Sequence, residues 1–361
     1  MEMAVDIAQA VERQARRARF ALLALTVLLL AAFFLAIGYG AVAIAPLQTL
    51  AILLDQLGLN ILDGYEEVQK VVLLVIRLPR VLLGLLAGAA LAVAGAALQG
   101  LFRNPLADPG LIGVSTGSAL AAGAAIVFGG TLLGVLPGWV SNALLPFAAF
   151  VGGLATTLLV YRIASRDGRT EVATMLLAGI ALNALAGAGI GLLVFVSDDQ
   201  QLRDLQFWLL GGLGGVTWPS LFSAAPLILT PILLLLFFSR QLNALLLGEA
   251  EATHLGFDVE RTKGTIVILA ALTVGASVAL TGVIGFIGLV VPHLVRLMIG
   301  PDHRTLLPAS ILLGAALLLL ADLAARTIVL PAELPVGILT SCIGGPFFLW
   351  LLIRRRSLGM W

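Results

Sequence analysis

Apolar residues run almost unbroken through ten stretches of this chain, and polar residues gather between them. The stretches cover 20–37, 81–102, 111–130, 141–163, 172–196, 220–239, 264–283, 284–299, 305–325 and 336–353. About 20 apolar residues in a helix cross the ~30 Å hydrocarbon core of a bilayer. The pattern predicts an all-α, polytopic membrane protein with about ten transmembrane helices. A transmembrane barrel would alternate apolar and polar residues, and the unbroken runs exclude it. No charge interrupts Val81 to Phe102, and Gly84, Gly88, Ala92, Ala96 and Gly100 recur there every four residues. Small residues at that spacing share one helix face and let a second helix approach closely.

The polar intervals predict the connections. Residues 1–19 form an N-terminal segment ending in Arg13, Arg16, Arg17 and Arg19. The apolar run after it is longer than the ~7–15 residues of a signal peptide, so it is read as a retained span. Residues 46–76 form a partly polar connection. Breaks at Arg103-Asn104-Pro105, Asp108-Pro109-Gly110 and Pro137-Gly138 mark sharp turns. Ser197 is expected to cap a short, non-spanning helix, with Gln200 at the capping-box position and Gly211-Gly212 at its end. The spans 264–283 and 284–299 are expected to be nearly continuous. Residues 240–263 are polar, and 354–361 form a basic tail. Spans 20–353 constitute one transmembrane domain.

Charge orients this arrangement. Charged residues make up 11% of the chain and hydrophobic ones 60%, whereas a soluble domain carries about 25% charged residues. Ten spans put both termini on one side. All but five of the 21 Lys and Arg residues fall on that side; the five are Lys70, Arg77, Arg80, Arg203 and Arg326. Basic residues collect in cytoplasmic loops, so both termini are expected in the cytoplasm. The net charge of +1 gives no sign of nucleic-acid binding, and the single cysteine, Cys342, allows no intrachain disulfide.

Candidate chemistry is sparse. The two lysines, Lys70 and Lys263, do not sit in a P-loop, whose glycine-rich turn precedes Lys and Ser/Thr. The three histidines, His254, His293 and His303, are scattered. Asp322 and Arg326 are four residues apart and can pair along one helix face. A proton-coupled transporter would carry acids or histidines inside its spans, and an intramembrane enzyme would need a nucleophile or paired acids there. A stand-alone channel would need no partner. The energy for pumping is therefore expected from another chain. The second-to-third and seventh-to-eighth span regions each join small residues to a Gly/Pro break, in opposite directions across the membrane, a loose sign of inverted repeats.

RLPRVLLGLLAGAALAVAGAALQGLFRNPLADPGLIGVSTGS, residues 77–118, closely resembles the signature region of permease subunits of type II ABC importers for iron-siderophores, heme and cobalamin. The resemblance extends from about residue 20 to 353. It implies the permease fold of that family, in a homodimer bound to two ATPase subunits, with ATP and Mg held by those subunits and none by this chain. A periplasmic binding protein would deliver the cargo across a bacterial inner membrane. The stretch 174–215 looks most like the heme branch, so heme leads a ferric siderophore, with cobalamin as the alternative. By resemblance, Arg77, Arg80 and Arg326 would grip acidic residues of the binding protein. Leu247, Gly248, Glu249, Ala252, His254, Leu255 and Gly256 would belong to a helix that couples to the ATPase, within 240–263. Gly179, Asn183, Gly187 and Gly191 form a small-residue face on the fifth span, which in relatives faces the central pathway; close helix packing accounts for the same face equally well. Relatives carry Ser or Thr at a gate where this chain has Val172 and Ala173.

Overall fold

The computed structural model describes residues 2–40, 42–56, 58–59, 64–133 and 138–357. Helix α1 (Glu2–Gly38) is followed by α2 (Pro46–Gln56) and α3 (Glu67–Val71). A π-helical turn at Val72–Arg77 leads directly into α4 (Leu78–Leu101). After a 3-10 turn at Pro109–Ile112 come α5 (Val114–Leu133) and α6 (Gly138–Ala164). A small hairpin, β1 (Ser165–Arg166) and β2 (Arg169–Thr170), is antiparallel with Ser165 opposite Thr170. It feeds α7 (Val172–Val196), α8 (Asp199–Leu210) and α9 (Trp218–Phe237). Two short helices follow, α10 (Ser239–Leu247) and α11 (Glu249–His254), and then α12 (Val259–Thr281), α13 (Ile287–Ile299), α14 (His303–Ala325) and α15 (Val336–Ser357). Among the described residues, seven helices are long and apolar enough to cross a membrane, and three shorter apolar helices accompany them. The helical pattern expected from the apolar runs is present.

Helix α4 is the centre of the bundle, packed against α14, α12, α13 and α9. Its apolar window is 83% buried, against 17% for α7. Glycine permits this crowding. A Cβ on Gly88 would lie 2.4 Å from the Gly314 carbonyl oxygen of α14, and one on Gly95 would lie 1.9 Å from that of Gly288 in α13. The period-four face found Gly88 but not Gly95, which serves a different neighbour. Gly95→Ala is expected to force α4 and α13 apart and to cost about 1–3 kcal/mol, as overpacking does. Thermal unfolding of the purified protein measures it, with Gly285→Ala as control, since nothing lies within 4 Å of a Cβ there.

Residues 2–19 are helical and run unbroken into the first span as part of α1; no Gly or Pro interrupts them, and Arg, Glu, Gln and Ala are good helix formers. Three expectations change. The rod containing α4 begins at Glu67, ten residues before Arg77, so 46–76 is only partly a connection. Asp198, not Ser197, caps α8. Its carboxylate accepts from the Gln200 and Gln201 amides, and the Gln201 side chain accepts from the Asp198 amide at 3.1 Å. The Ser197 hydroxyl instead donates to Leu193 O at 2.6 Å, closing α7. Finally, α12 and α13 are separated by a non-helical stretch, 282–286. Gly282 (φ +66°) and Phe286 (φ +67°) both take left-handed backbone. Phe286 is accommodated by Gly344, where any Cβ would meet it at 2.4 Å. Irregular backbone within a membrane bundle needs partners, and the Gly212 amide supplies one by donating to Thr281 O at 2.7 Å. The expected turn at Pro137 lies outside the described residues.

Candidate functional site

Two polar clusters sit at opposite ends of α4, about 30 Å apart at 1.5 Å per residue. At the first end, Arg80 Nε and Nη2 donate to Asp322 Oδ1 at 3.0 and 2.8 Å, and Arg80 Nη1 donates to Glu333 at 2.8 Å. Asp322 is fully buried and also meets Arg326 Nε at 3.4 Å. The i,i+4 pair read from the sequence is present, but its shared carboxylate serves two arginines. Arg77 donates to the carbonyls of Ile37 (3.0 Å) and Gly38 (2.8 Å) and also to Val42 O. Arg326 donates to Ala36 O. Two guanidinium groups thus satisfy the last carbonyls of α1, which have no helical partner of their own, and place positive charge where the helix dipole favours it.

The three arginines expected to meet the binding protein are these same cluster residues. Arg77, Arg80 and Arg326 are buried within the chain, not projecting from its face. The physical reason is that each guanidinium is engaged internally, by α1 carbonyls or by Asp322 and Glu333. Of the three, only Arg80 lines the open cavity of about 350 Å³ at this end, with Asp322, Glu333, Trp208 and Gly212.

At the other end, α11 is bracketed by Gly248 (φ +132°) and Gly256 (φ +87°). Gly248 and Ala252 pack inward, whereas Leu247, Ala250, Thr253, His254, Leu255 and Gly256 are exposed. Glu249 accepts from Lys263 Nζ at 2.7 Å. Lys263 is buried, and it also donates to Glu260 Oε1 at 3.1 Å and to Thr170 O at 3.0 Å. The Thr170 amide donates to Glu260 Oε2 at 2.7 Å. A cavity of about 420 Å³ adjoins this cluster, lined by Lys263, Glu249, Val172, Ala173, Phe102 and Arg103 among others. Val172 and Ala173 are therefore at its wall, at the first turn of α7.

The small-residue face of α7 divides in two. A Cβ on Gly179 would lie 1.8 Å from Leu111 O. The Asn183 amide donates to Gly110 O at 3.1 Å, and its oxygen accepts from the Thr116 hydroxyl. These two residues are packing residues, seated on the Pro109–Ile112 turn. Asp108 shapes that turn by accepting from the Gly110 amide at 2.8 Å; desolvation pushes its carboxyl up from the ordinary value, and the Gly110 amide pulls the other way. Gly187 and Gly191 are exposed, with nothing within 4 Å of a Cβ.

The sequence pattern of the FecCD transport family matches residues 28–354. The chain belongs to the FecCD transport family. This FecCD chain is 53% identical over 282 residues to the hemin transport system permease protein HmuU of Yersinia pestis, covering 78% of the chain and 83% of the relative. It is 46% identical over 294 residues to the cobalamin import system permease protein BtuC of Halobacterium salinarum, covering 81% and 76%. A solved structure described as an inward-facing metal-chelate type ABC transporter superposes with a TM-score of 0.78 at 34% identity, over 92% of the chain and 98% of that structure. The resemblance read from 77–118 is thereby confirmed: this is a multi-pass membrane permease, not an enzyme.

Some residues of this FecCD chain escaped the sequence reading. Glu333 and Glu260 carry no local motif: Glu333 meets Arg80, 253 residues away, and Glu260, besides Lys263 three residues on, accepts from Thr170, 90 residues away. Lys263 had a signal: it is one of only two lysines, and it stands at the start of an apolar run. Burying an ammonium there requires partners.

Proposed function

We propose that this chain is the permease of a binding-protein-dependent, ATP-driven importer of heme in a bacterial inner membrane. The 53% identity to a hemin permease, against 46% to a cobalamin permease, carries the cargo reading. Two copies form the pathway, each bound to an ATPase subunit that holds ATP and Mg, and both termini lie in the cytoplasm. The exposed surface of α11, with Leu247, His254 and Leu255, seats in the ATPase. The open Gly187–Gly191 stretch of α7 lines the route, where small residues suit a large flat ligand. The binding protein docks at the other end, over the cavity that Arg80 and Glu333 border. The chain itself need hold no cofactor, because cargo passes through it.

The test compares cargoes. In liposomes containing the permease with its ATPase, a binding protein loaded with heme is expected to stimulate ATP hydrolysis several-fold more than one loaded with ferric siderophore or cobalamin. Stimulation by cobalamin alone would replace heme with the alternative and leave the importer reading standing. Transport without any ATPase would overturn the importer reading itself.

A further inference from the structure

Lys263 joins three elements that are separate in sequence. Its ammonium group has three N–H donors and no acceptor, and each finds an oxygen: Glu249 of α11 at 2.7 Å, Glu260 of α12 at 3.1 Å and the Thr170 carbonyl of β2 at 3.0 Å. Glu260 closes the cluster by accepting from the Thr170 amide at 2.7 Å. Thr170 is two residues before Val172, where α7 begins. The hairpin is also anchored from behind, since the Thr170 hydroxyl donates to the Tyr161 hydroxyl of α6 at 3.4 Å. Among the described residues, Glu249 is the charged contact that connects this cluster to α11.

We propose that Lys263 is the positioning residue that passes movement of α11 to the base of α7. The inference rests on the reading of α11 as the ATPase contact and names the link behind it. Three features carry it. The link is short, since Glu249, one ammonium group and the Thr170 carbonyl lead from α11 to the residue pair before α7. It is stiff, because a buried ammonium with every donor engaged cannot release one partner without leaving an N–H donor unsatisfied. It has room to move, because the cavity of about 420 Å³ beside it separates Glu249 and Lys263 from Arg103 and Phe102 at the end of α4. Glycines with left-handed backbone on both sides of α11 let that helix shift as a unit. A displacement of α11 toward or away from the cavity would then carry Lys263, and with it the hairpin and the first turn of α7.

Spin labels at two exposed positions test it in the assembled permease–ATPase complex: one at Thr253 on α11, the other at Ala173 on α7. With intact Lys263, ATP is expected to change the distances between copies at both positions. With Lys263→Met, which keeps the stem and removes the charge, the Thr253 change is expected to persist and the Ala173 change to vanish. Cargo moved per ATP hydrolysed should fall about tenfold, within the range of coupling between linked sites. Lys263→Arg, which can still bridge two carboxylates, should restore part of both. Where Lys263→Met fails to assemble, Glu249→Ala is read in the same way, because it removes only the α11 connection. An unchanged Ala173 response in a variant whose Thr253 still responds overturns the role of Lys263 while sparing the α11 reading. A Thr253 label that ignores ATP in the unaltered protein overturns the α11 reading itself.

Discussion

Replacing Asp322 by alanine is expected to destabilise the protein by roughly 3–5 kcal/mol, the range for removing one partner of a buried ion pair. Asp322 is fully buried and receives both Arg80 and Arg326. Without it Arg80 keeps Glu333, while among the described residues Arg326 is left with the Ala36 carbonyl. Two guanidinium groups would then share a region of low dielectric with one half-exposed carboxylate to balance them. Thermal unfolding of the purified permease measures the loss. Asp322→Leu combined with Arg80→Met and Arg326→Met should recover much of it, since replacing a whole buried ionic set by apolar residues of similar volume is often neutral. Glu333→Gln, at a half-exposed position, should cost no more than about 1 kcal/mol. If Asp322→Ala proved as mild as Glu333→Gln, water would have to reach the cluster, and the account of it as a buried ionic lock would be wrong.

Bulk on the open half of α7 is expected to stop transport without harming the fold. Gly187→Leu and Gly191→Leu each add a side chain where nothing lies within 4 Å. Assembly with the ATPase should be unaffected, and heme uptake into liposomes should fall at least about tenfold, which needs only about 1.4 kcal/mol of added barrier. Gly179→Ala should behave in the opposite way. Its Cβ would lie 1.8 Å from Leu111 O, so the helix must move off the turn beneath it. The expected result is lower yield and lower unfolding temperature, with whatever protein remains still transporting. Normal uptake by both leucine variants would mean that the open stretch faces lipid, and the pathway would have to be sought elsewhere.

The contrast within α7 shows what a sequence can disclose. Four small positions at one spacing are legible, because lipid-embedded helices need such faces wherever backbones meet. Which of them meet a neighbour is decided by the Pro109–Ile112 turn, some 70 residues earlier, and spacing carries no record of it. The same division runs through the ionic residues. Asp322 and Arg326 are four apart on one helix and pair as expected, while Arg80 joins them from 242 residues away. Helices were legible because a bilayer demands long apolar runs. The break at 282–286 was not, because glycine is common inside membrane helices and Gly282 and Gly285 alone do not announce it. Phe286 takes left-handed backbone only because Gly344 leaves space, a fact of tertiary packing.

The π turn at Val72–Arg77 joins two parts of one rod. A π turn is an α-helix that has absorbed one extra residue. The extra residue sets Glu67–Val71 about 100° around the rod from where a plain helix would put it. From that position Lys70 reaches Asp55 of α2 at 2.7 Å, while Arg77, at the end of the turn, still faces the end of α1. The rod is therefore divided into an outer part whose bearing depends on residue count and an inner part whose bearing is held by α14 and α13. One residue added or removed at this joint would swing the outer part to a new bearing, while the glycine contacts of the inner part keep their register.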